Sequence, residues 1–238
     1  MFRYARCAAV FAALFLASCA GQQELPFDNS GAQIKTIAIL DPMLDGKPTI
    51  RLASSIGQSF GLVGGLIDAG LETNRDDTAY SWMQARGFSA NAAFLKYLES
   101  DLRARGYAVK IVPSAHSEDD YVKTYPDPAT TGADAYLDVV PLGIEWGYMA
   151  AGIGSSNPYR PYIALKCRLV RAGTGEVLMQ DMVVYNPIVE AKDQIAIAPD
   201  PGYAFPDFDS MQADPARAVA GMDGSLHQTA DTVAGLLH

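Results

Sequence analysis

The chain has no run of lysine and arginine. Its 18 basic residues are scattered, 27 acidic residues outnumber them, and the net charge is −9. A nucleic-acid binder that works through a global positive field is thereby excluded. Charged residues of both signs make up only 19% of the chain against 49% apolar, so the composition of a disordered protein is absent too. Histidine and cysteine are scarce, with three of each. The histidines, His116, His227 and His238, form no HExxH or clustered pattern, and no CxxC occurs, so a transition-metal site has no support. GxSxG and a Gly-rich phosphate loop ending in Lys-Ser/Thr are missing as well. The expectation is a non-enzymatic protein with no resident cofactor or metal.

What is there begins with a targeting segment. Arg3 and Arg6 supply a positive start, Cys7 to Phe15 form a short apolar run, and Leu16-Ala17-Ser18-Cys19 closes it. That run is too short to span a membrane stably, which takes roughly 20 residues. The four closing residues resemble the lipobox of bacterial lipoproteins. The resemblance implies cleavage between Ser18 and Cys19 and acylation of the Cys19 thiol, with palmitate among the chains. An ordinary signal peptide cleaved after a small residue is the alternative. Two or three acyl chains anchor durably where one does not. Ala20 after the cysteine implies, in that family's sorting logic, the outer membrane, facing the periplasm.

Residues 1–18 are thus read as signal, 19–33 as a lipidated tether and 34–238 as one domain. Loss of two arginines with the signal leaves 16 basic against 27 acidic residues, a mature net charge of −11. Cys167 is then the one cysteine left in the folded part, unable to form an internal disulfide. It lies in an apolar strand-like run and reads as a small core residue rather than a nucleophile.

Ile34 to Leu40 is a continuous apolar run stopped by Asp41-Pro42, hence a buried strand. Phe94, Leu95, Leu98 and Leu102 recur at helical spacing after the N-cap candidate Ser89, and Gly106 offers a left-handed C-cap. Strands are expected over 107–112, 134–141, 163–170 and 177–185, the last two joined by a hairpin at Gly173-Thr174-Gly175. Asp214-Pro215 opens a final helix with Val219, Met222, Leu226, Val233 and Leu237 on one stripe. The order β-α-α-β-β-β-β-α predicts a single α+β domain with a mixed sheet packed against helices.

Two short segments carry a family resemblance. Gly132-Ala133-Asp134-Ala135-Tyr136-Leu137 resembles the "GAD" strand opening of the curli-secretion lipoprotein family, found also in the amino-terminal domain of the Tol-system propeller protein. Leu169-Val170-Arg171-Ala172-Gly173-Thr174-Gly175-Glu176-Val177 is similar to their "LVDAxTGEV" hairpin. The lipobox and the 35–40 strand stand at matching positions, and outer-membrane activators of penicillin-binding proteins share the layout. Arg171 replaces the usual aspartate, so a turn bond from that carboxylate is lost. These motifs concern turns and strand starts, and imply fold more than chemistry.

Between Arg51 and Asp68 lie sixteen uncharged residues with Gly57, Gly61 and Gly65 at four-residue spacing. Each step turns about 400° on a helix, so the glycines line one stripe that permits close backbone approach. They are candidate partner contacts; a helix packed on its own sheet is the plainer reading. Asp134 and Asp138 share a strand face roughly 13 Å apart, beyond the reach of a glycosidase pair at about 5–9.5 Å. Asp200, Asp207 and Asp209 read as solvated loop carboxylates rather than a calcium site. Tyr203, Phe205 and Phe208 are expected to pin that loop to the domain or to form a docking surface.

The expected function is a membrane-anchored envelope lipoprotein that binds another envelope protein or itself, with no nucleic acid involved. An oligomeric secretion-pore subunit of the curli-lipoprotein type is the alternative, with 52–70 and 142–154 as the segments that would enter a barrel. A small-ligand carrier or hydrolase comes third.

Overall fold

Ile37, Ala38, Ile39 and Leu40 are all buried, although side chains alternate between the two faces of a strand. Both faces must therefore be covered, and this fixes the layout of the molecule. The computed structural model describes residues 24–44, 46–52, 74–114, 116, 120–152, 157–188 and 192–238. Their strands are β1 (Thr36–Leu40), β2 (Thr49–Leu52), β3 (Ala108–Val112), β4 (Ala135–Ala150), β5 (Arg160–Arg171), β6 (Val177–Tyr185) and β7 (Ile195–Ile197). The helices are α1 (Asn29–Ala32), α2 (residues 74–84), α3 (Ala90–Ala104), α4 (Pro128–Thr131), α5 (Phe208–Ala213) and α6 (Pro215–Gly235). This is a single α+β domain with a mixed sheet.

The strands run in the order β3-β1-β4-β5-β6-β7, with β2 also beside β4. Pairing is parallel for β3-β1-β4, β2-β4 and β6-β7, and antiparallel for β4-β5-β6. β4 is long enough to serve two neighbours on one flank. Its start pairs with β1 (Ile37↔Ala135) and its end with β2 (Thr49↔Gly147). At Gly147 the chain takes φ +142°, and a Cβ there would sit 2.1 Å from the Thr49 carbonyl oxygen. Only glycine lets β2 and β4 approach this closely.

Helices α3 and α6 lie together on one face of the sheet. Phe94, Leu98 and Leu102 of α3 and Val219, Met222, Leu226 and Val233 of α6 join Ile37, Ile39, Leu137, Leu165 and Leu169 in the main core. Capping follows the sequence signals. Ser89 accepts from the Ala92 N–H, Asp214 accepts from the Arg217 N–H, and Gly106 takes φ +94°. The opposite face carries a small cluster of Ala38, Leu40, Val122, Ala133 and Tyr136 under the 113–131 segment. Alternation also sends Asp138 of β4 and Arg168 of β5 to this back face.

Three expectations need correction. The strand ending at Pro141 instead continues to Ala150, because a register shift between Pro141 and Trp146 absorbs the irregularity in its pairing with β5. The segment 142–150 is therefore built into the sheet, with Trp146 and Tyr148 each 1% exposed, and is no free hairpin arm. The described part of the expected tether, residues 24–33, is docked: Leu25 exchanges two backbone hydrogen bonds with Gln180 of β6, and α1 follows, capped by Asp28. The short elements β2, β7, α1, α2, α4 and α5 add to the simpler order read from the sequence.

Candidate functional site

The parallel strands β1 and β3 end side by side at Leu40 and Val112. Loops leaving the carboxyl ends of parallel strands are a recurrent place for ligand sites. Here the Asp41 N–H donates to the Val112 carbonyl, and the chain after Pro113 folds back over the sheet. Ser114, His116 and Asp138 meet at this point. Ser114 Oγ lies 2.6 Å from His116 Nδ1, and His116 Nε2 lies 2.7 Å from Asp138 Oδ1. The side chain of His116 is 7% exposed and that of Asp138 is 0% exposed.

Asp138 is held from every side. Its Oδ2 accepts from Tyr125 Oη at 2.7 Å and from the Val122 N–H at 3.2 Å, and Arg168 Nη2 stands at 3.6 Å. Arg168 donates through Nε to Tyr125 Oη and through Nη2 to the Val122 carbonyl. Its guanidinium also lies 4.0 Å over the Tyr121 ring. Burial, and then the Asp138 charge, hold the Tyr125 phenol far above its ordinary value. The buried carboxylate is thus met by charge-assisted donors, the condition under which a buried charge is tolerated.

Serine, histidine and aspartate are the residue types of a hydrolase triad. Ser114 Oγ lies 2.7 Å from the Asp41 carbonyl as well as 2.6 Å from His116 Nδ1, and its single hydrogen can be given to only one of them. With Nε2–H given to Asp138, a neutral imidazole offers Nδ1 as an acceptor, so the Asp41 carbonyl and the ring compete for that one hydrogen. The adjoining cavity, lined by Ser114, Thr124, Tyr125 and Leu40 among others, holds about 220 Å³. Small-molecule pockets occupy roughly 300–1,000 Å³. The cluster behaves as a strut that fastens the 113–131 segment to the sheet.

A larger concavity of about 570 Å³ runs along the seam of α3 and α6. Ala92, Ala93, Val219 and Ala220 line it with apolar surface, and Arg86, Lys96 and Asp223 are its charged lining. Tyr97 Oη donates to both oxygens of Asp223, at 2.9 and 3.0 Å, which ties the two helices together on the groove wall. The Tyr97 phenol is raised first by desolvation and then by this bond. His227 stacks on Tyr97 with 4.4 Å between ring centroids.

Ser18, Cys19, Gly57, Gly61 and Gly65 lie outside the described residues. Cys167 is buried in the main core with Sγ 3.6 Å from the Asp181 carbonyl, and burial pushes its thiol far up, so it is no nucleophile. Asp134 accepts from the Lys35 and Thr36 N–H groups, so the "GAD" aspartate secures the start of β1. Arg171, in place of the usual aspartate, bonds Glu176 across the turn and the Ala32 carbonyl. Asp200 and Asp207 spend their carboxylates on helix caps. No group of three or more potential metal ligands occurs among the described residues. Phe205 is fully buried and exchanges backbone bonds with Tyr159, while Phe208 stacks on Trp82, so the aromatic loop is pinned to the domain. Among the described residues no helix is long and apolar enough to cross a membrane.

Sequence reasoning missed the Ser114–His116–Asp138 cluster because His116 and Asp138 are 22 residues apart and each was weighed alone. A signal was present: an aspartate between Leu137 and Val139 in an otherwise apolar strand demands a partner.

No protein-family model matches the chain, and no curated protein matches it. Among solved structures it is similar to a variant of the PelC dodecamer from Paraburkholderia phytofirmans. That match has 12% identity, covers 92% of this chain and 98% of that one, and has a TM-score of 0.36. A second crystal form of the PelC dodecamer from the same organism gives 12% identity, coverage of 91% and 94%, and a TM-score of 0.35. The likeness is too slight to carry an assignment.

Proposed function

We propose that this chain is a lipid-anchored envelope lipoprotein that binds a protein partner and catalyses no reaction. The Cys19 thiol takes the lipid, and the 34–238 domain presents the binding face. Anchoring confines that face to a thin layer beside the membrane, so a modest intrinsic affinity suffices there. The observation that carries the reading is the α3–α6 groove, whose lining sets apolar Ala92, Ala93, Val219 and Ala220 beside two cations, Arg86 and Lys96, and one carboxylate, Asp223, on a chain that is otherwise acidic. An envelope-protein segment that is apolar on one face and acidic at its edge is the complement. Gly57, Gly61 and Gly65 are a second proposed contact, in the chain between β2 and α2.

The test is a photo-crosslinking amino acid placed in living cells at Ala92 or Ala220, with Glu176 in the exposed β5–β6 turn as the control position. The expected result is one adduct of defined mass from both groove positions, none from Glu176, and its loss when Lys96→Glu reverses the lining charge. Absence of any adduct from the groove, or equal yield from Glu176, would overturn the reading.

A further inference from the structure

The geometry points to a carboxylate-binding site at the opposite end of the sheet, where β4 and β6 end and β5 begins. Residues after Ala150, before Arg160 and after Tyr185 enclose a small cavity of about 100 Å³ there. Asn186 lines it and is 6% exposed, yet its Nδ2 has no hydrogen-bond partner among the described residues. The Asn186 backbone is already committed: it takes φ +60° and its N–H donates to the Ile197 carbonyl at 2.9 Å. A buried amide donor left unmatched is costly, so an acceptor that reaches it is favoured.

The other polar groups on the wall are donors of the same kind. Arg160, at the first position of β5, lines the cavity, and its guanidinium has no hydrogen bond or ion pair among the described residues. The Asn157 carboxamide lines it too, with its Nδ2 lying against Gly152. Among the described residues no acidic side chain is on the wall, while Met149 and Ile188 supply apolar surface. The ligand must therefore accept hydrogen bonds, carry negative charge and be small.

A carboxylate meets all three conditions. One oxygen faces the guanidinium fork and the other the Asn186 amide, and a short apolar stem lies against Met149 and Ile188. A phosphate, at about −1.5 to −2 charges, would leave an excess that one arginine does not balance. The carboxylate belongs either to a free small acid or to the carboxyl terminus of a peptide.

The experiment titrates the full-length chain in detergent with three probes at constant ionic strength: acetate, trialanine with a free carboxyl terminus, and trialanine amide. The readout is the side-chain amide resonance of Asn186. Saturable shifts with acetate alone identify a free small acid, and tighter saturation by trialanine identifies a peptide terminus. Trialanine amide should produce no shift. Arg160→Gln is expected to weaken binding at least tenfold, and Asn186→Asp, which keeps the shape but replaces the donor with an anion, to abolish it. If Asn186→Asp does not fold, Arg160→Gln decides. The proposal is overturned if neither acetate nor trialanine saturates, if chloride shifts the resonance equally, or if Arg160→Gln binds as the parent does.

Discussion

Substituting Asp138 and Ser114 separately distinguishes a strut from a catalytic centre. Asp138→Ala removes a fully buried carboxylate that receives His116, Tyr125 and the Val122 N–H and faces Arg168. Breaking a buried, hydrogen-bonded charge pair by deleting one partner costs about 3–5 kcal/mol, because the other groups stay buried without it. In a domain of this size each kcal/mol lowers the melting temperature by about 2–4 °C, so a drop of about 6–20 °C is expected. Ser114→Ala removes one hydroxyl with two neutral-type contacts, 2.7 Å to the Asp41 carbonyl and 2.6 Å to His116. Its cost is about 1 kcal/mol, or about 2–4 °C. A hydrolase would behave in the opposite sense, with Ser114→Ala abolishing turnover and barely touching stability. The assay pairs thermal melts followed by circular dichroism with hydrolysis of p-nitrophenyl acetate. The reasoning fails if Asp138→Ala melts within about 2 °C of the parent, or if Ser114→Ala removes a measurable hydrolysis.

Three further outcomes are expected. Gly147→Ala places a methyl 2.1 Å from the Thr49 carbonyl oxygen at φ +142°, so β2 must leave β4; a loss of about 3 kcal/mol should show in denaturant titration, and an unchanged midpoint would contradict the β2–β4 register. Phe205→Ala empties a fully buried ring site beneath the Arg217 guanidinium, 3.9 Å from the ring centroid; about 3–5 kcal/mol should be lost and limited proteolysis should begin within 198–214, whereas cutting elsewhere would show that the ring does not pin the loop. Burial raises the Asp181 carboxyl above its model-compound value of 3.8, with the Met182 N–H opposing and Glu24 adding to the rise. The folded state then holds its proton more tightly than the unfolded state, so stability falls as pH rises from about 4 through the raised value. Asp181→Asn should therefore gain melting temperature on the parent across that window and keep the gain at pH 7; a gain that does not change with pH would remove the assignment.

Local chemistry was legible in the sequence wherever a few neighbouring residues decide the outcome. Ser89, Gly106, Asp214 and the Gly173-Thr174-Gly175 turn act within one turn of chain, and each stands where its own preferences put it. The β1 run was legible because a strand buried on both faces leaves a continuous apolar stretch. β4 was not, since Pro141 read as its end although the register shift after it lets the strand run on to Ala150. The four residues of β2 and three of β7 are too few for periodicity to register. His116 and Asp138 meet only because the 113–131 segment folds back across the sheet, a tertiary event that no spacing encodes. The groove is likewise a property of two helices distant in sequence, with alanines that read singly as helix formers and jointly as an apolar lining.

The most direct test of a lipid-anchored binding module compares cells making the parent with cells making Cys19→Ser, by fractionation and by thermal melting of the purified proteins. The anchor is worth about 0.8 kcal/mol per buried methylene, whereas the main core is built from residues from Ala32 onward. The account predicts that the parent sediments with membranes and carries a mass increment of acyl chains on Cys19. The variant should be recovered in the soluble fraction with an unchanged melting temperature. A Cys19→Ser protein that stays with membranes after a carbonate wash, or that melts well below the parent, would contradict it.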